Sequence, residues 1–313
     1  MHPFRRIHLA LLLKFALGLP LSTVQASEAL KASNDASLTP VATTFTERRE
    51  LPQTGTEAVR MADGHYRVTT RFRSFDGDPL SLAFTLSRDS THQSVREYGV
   101  STDELDALMA RCRAQKGCTQ QAFDRFTTHY YQSQGMRLSY SPGEAPRLHV
   151  DIAKAVQRNR DRVKPLAAAL RGLAAEQGQD RQWLIDAAIA LVQSGMVYRQ
   201  PETWDEGRKI LGFYPPPRAL QRGYGDCDTK AALLASLLQN LTDARLIGVH
   251  VPKHYLLGIA GTPAAGQRAL EYRGQTFVLV EAAGPARRPP GDVAPATQTA
   301  LARMEGVRID PMF

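Results

Sequence analysis

Hydrophobic and polar residues alternate with a period of two in two short stretches of the N-terminal half. Residues 65–74 form the first stretch, residues 80–86 form the second, and Asp76-Gly77-Asp78-Pro79 lies between them. Such alternation places the apolar side chains on one face of a strand, while aspartate, glycine and proline favour turns. The pattern predicts a β-hairpin.

Farther along the chain, apolar residues recur every three or four positions, which is the spacing of one helical face. Ser101-Thr102-Asp103-Glu104 has the order of a capping box and predicts the start of a helix, and a second helix is predicted from about Thr119. Residues 137–149 contain proline and glycine and are predicted to be irregular. Residues 150–176 predict a basic helical region with a break or kink at Pro165.

The pattern around Cys227 combines a turn with a helix start. Two glycines precede the cysteine, and Asp226 and Asp228 flank it, either of which can cap a helix. The apolar residues that follow recur at helical spacing: Ala231, Leu234, Leu238 and Leu241. Cys227 is therefore predicted in the first turn of a buried helix. The helix dipole favours a thiolate there and the two carboxylates oppose it, and the sequence leaves open which effect dominates.

Three β segments follow this helix. The chain from residue 246 to residue 260 predicts two of them, joined at Val251-Pro252-Lys253, and His254 opens the second. A third run ends in a carboxylate at Glu281. A cysteine at a helix start, a histidine on one strand and an acid on the next have the order of a thiol acyl-transfer triad.

These residues resemble a known family. Gly-Asp-Cys-Asp-x-Lys-x-x-Leu-Leu, followed by a histidine on a strand and by Val-Glu at a strand end, is similar to the transglutaminase-like cysteine peptidase superfamily, in an exported bacterial form. The resemblance covers about residues 180–292. It implies a papain-like α+β fold, in which a cysteine-bearing helix packs on an antiparallel sheet. It also implies that Cys227 is the nucleophile, His254 the base and Glu281 the orienting acid, a place where the family more often has aspartate.

The histidines have two alternative roles. His250 is the second candidate for the base, because it would share a face with His254 if both lay on one strand. A zinc site made of Cys227 and the two histidines is disfavoured, because Pro252 prevents the helix that would place both rings on one face. No further cysteine pair with ligand spacing lies nearby.

Residues near Cys227 carry two further candidate roles. Gln221 lies six residues before the cysteine, which is the spacing of the oxyanion-hole glutamine in papain, and the Cys227 amide is the other candidate donor. Exported peptidases of the superfamily can bind calcium near the cysteine, but Asp226 and Asp228 lack a loop with calcium-ligand spacing. Capping is the simpler role for these aspartates, and we expect no cofactor.

The N-terminus has the pattern of a secretory signal. Arg5 and Arg6 precede an apolar run over residues 9–21, and Val24-Gln25-Ala26 has small residues at a cleavage position. We expect cleavage after residue 26, a periplasmic or secreted protein, and no stable membrane insertion afterwards. The formal net charge is +8, but the arginines are scattered without the aromatic residues typical of nucleic-acid binding, so no nucleic-acid partner is expected.

The chain contains three cysteines. Cys112 and Cys118 are six residues apart around a polar, glycine-containing loop, and in an exported protein this spacing predicts a disulfide. Cys227 then remains a free thiol. A free thiol in an oxidising compartment is either buried and inert or needed for chemistry, and its position at a turn favours chemistry.

Together these patterns predict four segments and one function. The segments are a signal peptide (1–26), a flexible leader (27–61), an α+β region with a β-hairpin and a helical hairpin (62–150) and a transglutaminase-like catalytic domain (151–313). The predicted function is that of an exported cysteine peptidase or amide hydrolase, which acts through an acyl-enzyme on a protein or peptide of the cell envelope. The alternative is an inactive domain of the same family that binds a peptide or envelope protein.

Overall fold

The computed structural model describes residues 53–115, 117–140, 145–304 and 306–312. The predicted signal peptide and most of the predicted leader lie outside these ranges. The end of that leader is not a flexible segment, because it forms the first strand, β1 (Gly55–Arg60). β1 is an edge strand with one buried side chain, Thr56, so it has no alternating pattern that the sequence could reveal.

The predicted hairpin is confirmed. β2 (Tyr66–Arg73) and β3 (Pro79–Leu86) pair antiparallel in the register that joins Tyr66 to Leu86, and β1 adds to the other side of β2. The alternating side chains of β2 and β3 bury one face. That face packs on two helices of the central layer, α5 (Lys164–Glu176) and α6 (Arg181–Gly195).

Three helices follow the hairpin: α1 (Arg88–Arg96), α2 (Thr102–Ala114) and α3 (Gln120–Ser133). Ser101 caps α2 by accepting a hydrogen bond from the Glu104 amide at 3.3 Å, and Thr119 caps α3 by accepting from the Ala122 amide at 3.2 Å. The Cys112–Cys118 disulfide joins the end of α2 to the start of α3 across a Cα–Cα distance of 5.5 Å. Both predicted helix starts and the predicted bridge are confirmed.

Residues 137–149 differ from the irregular segment expected there. Strands β4 (Met136–Ser139) and β5 (Arg147–Val150) pair antiparallel, and each is only four residues long, too short a run to show an alternating pattern. The predicted helical region after them is broken before Pro165, into α4 (Ile152–Asn159), a 3-10 turn (Asp161–Val163) and α5. Pro165 lies in the first turn of α5, where proline needs no amide hydrogen bond.

The central layer is built around one buried helix. It is α8 (Cys227–Leu241), which packs against α4, α5, α6 and the short helix α7 (Pro216–Arg222). Its side chains are buried on every side from Thr229 to Leu238, so the predicted buried helix is confirmed. Four two-residue strands form two further pairs: β6 (Val197–Tyr198) with β9 (Tyr224–Gly225), and β7 (Trp204–Asp205) with β8 (Arg208–Lys209).

A five-stranded antiparallel sheet covers α8, in the order β12-β13-β11-β10-β14. Its strands are β10 (Leu246–Val251), β11 (His254–Ala260), β12 (Ala269–Tyr272), β13 (Gln275–Val280) and β14 (Arg308–Pro311). Tyr255 and Leu257 of β11 join the core that contains α8, whereas Leu256 joins a smaller cluster on the opposite face. The last helix, α9 (Pro295–Arg303), packs on that opposite face through Leu301.

The chain is thus a mixed α+β protein whose main sheets are antiparallel, as expected for its class. One core cluster runs from the N-terminal sheet through the central helices to the five-stranded sheet. Among the described residues, none of the helices combines the length and apolarity needed to cross a bilayer.

Candidate active site

A tight turn places Cys227 at the start of α8. Gly223 ends α7 in the left-handed region, with φ of 74°, and a side chain there would overlap the Thr56 carbonyl of β1. The two residues of β9 then lead to Asp226, whose carboxylate caps α8 by accepting from the Thr229 amide at 3.1 Å. Cys227 is the first residue of the helix, as predicted.

The Cys227 thiol lies among carboxylates. It is half-buried and donates a hydrogen bond to Asp228 Oδ1 at 3.4 Å. Burial, followed by the charges of Asp228 and Asp226, raises the pKa of Cys227 to about 12, and a hydrogen bond from the Tyr255 backbone amide opposes the rise. Burial and the two carboxylates therefore outweigh this backbone hydrogen bond, and the net pKa of the thiol is raised. We call Cys227 with these two aspartates the nucleophile half of the site.

His254 begins β11 directly after a tight turn. Val251 pairs with His254 across this turn, and Lys253 adopts a positive φ of 63° within it. The imidazole Nε2 lies 2.6 Å from Glu281 Oε2, and the Glu281 side chain is 5% exposed. Because an ionised carboxylate can only accept, Nε2 carries the proton in this bond and Nδ1 is the remaining ring nitrogen. We call His254 with Glu281 the base half of the site.

Glu281 is held at both carboxylate oxygens. It follows the last residue of β13, and its Oε1 accepts from the Thr297 hydroxyl at 2.9 Å and from the Ala294 amide at 3.2 Å. Burial alone would raise the pKa of Glu281, but the bonds from His254, Ala294 and Thr297 outweigh it and the net pKa is lowered. Glu281 is therefore an ionised carboxylate that fixes the orientation of the imidazole.

The two halves meet at the start of β11. Tyr255, which follows His254, directs its backbone amide at the Cys227 thiol, and the charge of His254 acts on Asp228. Burial and the charge of Asp226 raise the pKa of Asp228 to about 6. In this arrangement the thiol donates its proton towards Asp228. Cys227, His254 and Glu281 are thus brought into one neighbourhood, and the hydrogen bond of the thiol is made to Asp228 rather than to the imidazole.

A pocket of about 540 Å³ adjoins the base half. His254 and Glu281 line it, Cys227 lies outside its lining, and most of its wall is apolar. Its other lining residues include Lys253, Pro285, Ala286 and Ala300. A group bound in this pocket would lie against both His254 and Glu281.

The alternative residues occupy other places. His250 lies on β10 opposite Tyr255, and its Nδ1 is buried without a hydrogen-bond partner among the described residues. The Gln221 side chain accepts a hydrogen bond from Arg218 within α7, at 2.6 Å. Across the described ranges, no three His, Cys, Asp or Glu side chains are grouped as metal ligands.

Sequence reasoning missed three residues near the site. Tyr198 of β6 pairs with Gly225 of β9, and burial followed by the nearby Cys227 thiol raises the pKa of its hydroxyl. Two buried polar side chains, Lys230 and Gln193, hold the segment that follows Glu281. The lysine of the Gly-Asp-Cys-Asp-x-Lys motif was a signal for Lys230, whereas the other two depend on pairings between distant parts of the chain.

The site unites a free thiol at a helix start with a histidine and an ionised glutamate, which is the set of groups used in nucleophilic catalysis by thiol enzymes. Comparison of the chain with protein-family models, with curated proteins and with solved structures found no match. The chemistry of these side chains is therefore the basis for a functional assignment.

Proposed function

We propose that this chain is an exported cysteine hydrolase with a transglutaminase-like, papain-like core, acting on amide bonds of a protein or peptide in the cell envelope. The observation that carries the proposal is the His254–Glu281 pair, with a 2.6 Å bond and a buried, ionised carboxylate, placed beside a free thiol. An orienting carboxylate of this kind is what a histidine base needs to keep one tautomer.

The element order supports the papain-like part of the proposal. Cys227 begins a buried helix, that helix packs on β11, and β11 begins with His254. Glu281 follows β13, which is the neighbour of β11 in the sheet. This is the arrangement that the resemblance implied for the nucleophile, the base and the orienting acid.

The reaction proceeds through two proton transfers in its first half. The thiol proton passes to Nδ1 of His254 while the sulfur forms a bond to the substrate carbonyl carbon. The carbon–nitrogen bond of the tetrahedral intermediate then breaks, and His254 gives the proton to the leaving amine. Glu281 stabilises the imidazolium between these events. The Cys227 amide at the helix start is the donor for the oxyanion.

Water completes the cycle. It attacks the carbonyl carbon of the acyl-enzyme while His254 accepts its proton, and the carbon–sulfur bond breaks to release a carboxylic acid and the free thiol. Water rather than an amine is the acceptor because nothing in the sequence marks an amine site.

One observation favours a second candidate function. The thiol donates to Asp228, and its pKa is raised to about 12, so in the resting molecule it is protonated. A domain that binds a peptide or envelope protein without chemistry would keep its thiol in that form. This is the alternative against which the hydrolase is tested.

The test is the reactivity of the thiol in the mature protein. Iodoacetamide should label Cys227 in the wild type and leave Cys227→Ala unlabelled at this position, and His254→Ala should label about 100-fold more slowly at neutral pH because the base is lost. Site-resolved mass spectrometry measures the rates. Equal rates in the wild type and His254→Ala would contradict the hydrolase and favour the binding domain. Comparing envelope proteins processed by the wild type and by Cys227→Ala then identifies substrates.

A further inference from the structure

Lys230 is a fully buried lysine on the cysteine-bearing helix, three residues after Cys227. Its ammonium group donates to the backbone carbonyls of Gln193 at 3.3 Å, Met196 at 3.0 Å and Ala283 at 3.1 Å. An ammonium group has three donors, so these bonds satisfy it completely. Ala283 lies two residues after Glu281, and Lys230 therefore connects the helix of the nucleophile to the segment of the orienting acid.

Gln193 of α6 holds the same segment from a second side. Its side chain is 1% exposed, and its Nε2 donates to the carbonyls of Glu281 at 2.7 Å and Arg288 at 2.9 Å. Its Oε1 accepts from the Arg288 amide at 2.8 Å. Gly284 packs against the Gln193 backbone so closely that a side chain at that glycine would overlap it. The segment from Glu281 to Arg288 is thus hydrogen-bonded to α6 at both of its ends.

Glu281 needs such support because strand pairing ends before it. β13 ends at Val280, which pairs with Leu257 of β11, and Glu281 lies outside the ladder. Its backbone carbonyl accepts a hydrogen bond from the Gln193 side-chain amide instead of from a neighbouring strand. A carboxylate on an unpaired segment would otherwise vary in position, and a shift of about 1 Å at such a group can cost about 100-fold in rate.

Keeping an ammonium group buried here is costly without a compensating partner. Burial lowers the pKa of Lys230 to about 7, and the carbonyls of Gln193 and Met196, at the C-terminal end of α6, supply the negative end of a helix dipole. Buried polar groups that are fully hydrogen-bonded specify one arrangement of the chain around them. The arrangement specified by Lys230 is the path of the chain directly after Glu281.

We infer that Lys230 and Gln193 are positioning residues that hold Glu281 at hydrogen-bonding distance from His254. The catalytic meaning of this role rests on the proposed function, whereas the role itself concerns the geometry of the His254–Glu281 bond. Neither residue contacts the reacting atoms of a substrate in the mechanism, and each acts through the backbone of the segment that carries Glu281.

The test observes the His254–Glu281 bond directly. In the ¹⁵N-labelled full chain, the proton on His254 Nε2 should give a downfield imidazole resonance, assigned by its disappearance in His254→Ala. Lys230→Met and Gln193→Leu should each lose this resonance while remaining folded by circular dichroism. The matched control is Ser236→Ala, because Ser236 is a buried polar residue of the same helix whose hydroxyl bonds within that helix, to the Ala232 carbonyl at 2.8 Å. The control should keep the resonance.

Persistence of the resonance in both folded variants would overturn the inference. If either variant does not fold, hydrogen exchange in the wild type provides a separate measurement. The Arg288 amide lies in a loop but donates to Gln193, so it should exchange as slowly as the amides of α8. Exchange as fast as that of exposed loop amides would also overturn the inference. The proposed function has its own test: equal iodoacetamide labelling of the wild type and His254→Ala would contradict it. That result does not depend on whether the imidazole resonance is lost.

Discussion

The base half and the nucleophile half of the candidate site differ in how far they are prepared for chemistry. In the base half, Glu281 is ionised, buried and bonded at both oxygens, and it holds the imidazole in one tautomer. In the nucleophile half, the thiol is protonated and donates to a carboxylate. The fold has thus fixed the orientation of the imidazole and has left the proton on the sulfur.

This difference shows where the free energy for ionising the sulfur must come from. The aspartates beside Cys227 oppose a thiolate, so the helix start alone does not produce one. An imidazolium beside the sulfur would stabilise the thiolate, and Glu281 would stabilise the imidazolium. In the proposed chemistry the nucleophile half therefore depends on the base half.

The largest effect is expected from breaking the base half at its carboxylate. Glu281→Gln should lower the rate of Cys227 labelling at neutral pH by about 100-fold. A serine triad that loses its aspartate charge loses about 10⁴-fold in kcat. The effect on labelling should be smaller because labelling requires only ionisation of the thiol. The rates are measured by site-resolved mass spectrometry. Thr297→Val, which removes one bond to the other oxygen of Glu281, should have the smaller effect. Unchanged labelling in Glu281→Gln would show that ionisation of the Cys227 thiol does not depend on Glu281.

The next effect concerns how the stability of the folded chain depends on pH. Because the pKa of Lys230 falls from 10.5 to about 7 on folding, the unfolded chain binds more protons between these values. Stability therefore rises with pH through this window, by about 1 kcal/mol per pH unit, and the contribution is absent in Lys230→Met. Urea unfolding of both proteins from pH 7 to 9 measures the difference. A difference that stays constant with pH would show that Lys230 remains charged in the folded protein.

A smaller effect of opposite sign is expected in the nucleophile half. Asp228→Asn removes a charge that raises the pKa of the thiol, and one pKa unit would increase labelling about 10-fold. Because the pKa of Asp228 is about 6, the increase should appear above pH 6 and disappear below it. The matched control is Asp180→Asn, an equivalent change at the cap of α6, which should not alter labelling. No change in Asp228→Asn would mean that its charge does not act on the sulfur.

The smallest effect on the site is expected from the disulfide. Replacing Cys112 and Cys118 by serine opens a short loop between α2 and α3 and should lower the free energy of unfolding by about 2 kcal/mol. Cys227 labelling should stay unchanged, because neither half of the site contacts this bridge. Thermal unfolding and labelling are measured on the same sample. A change in labelling would show that the helical hairpin is coupled to the site.

Local patterns carried most of what the sequence could predict. The hairpin of β2 and β3, the caps of α2 and α3, the disulfide and the place of Cys227 depend on residues close together in the chain. β1 and the β4–β5 pair escaped prediction because short, poorly buried strands lack a periodic signal.

The electrostatics of the site could not be predicted in the same way. The direction of the thiol proton depends on whether Asp228 or His254 is the nearer acceptor, and 26 residues separate these two in the chain. The support for Glu281 depends on Gln193, 88 residues away. Both results follow from packing, which a pattern of residue types does not specify.

The turn before Cys227 has a consequence for how this chain could be shortened. Gly223 lies against the backbone of Thr56, and the Thr56 hydroxyl donates to the Gly195 carbonyl at 2.8 Å. Strand β1 therefore packs against the turn that precedes Cys227. A fragment limited to residues 180–292, the segment that carries the family resemblance, would lack β1 and would leave the turn at Gly223 without this packing partner. We therefore expect the turn that carries Cys227 to need the N-terminal sheet for its conformation.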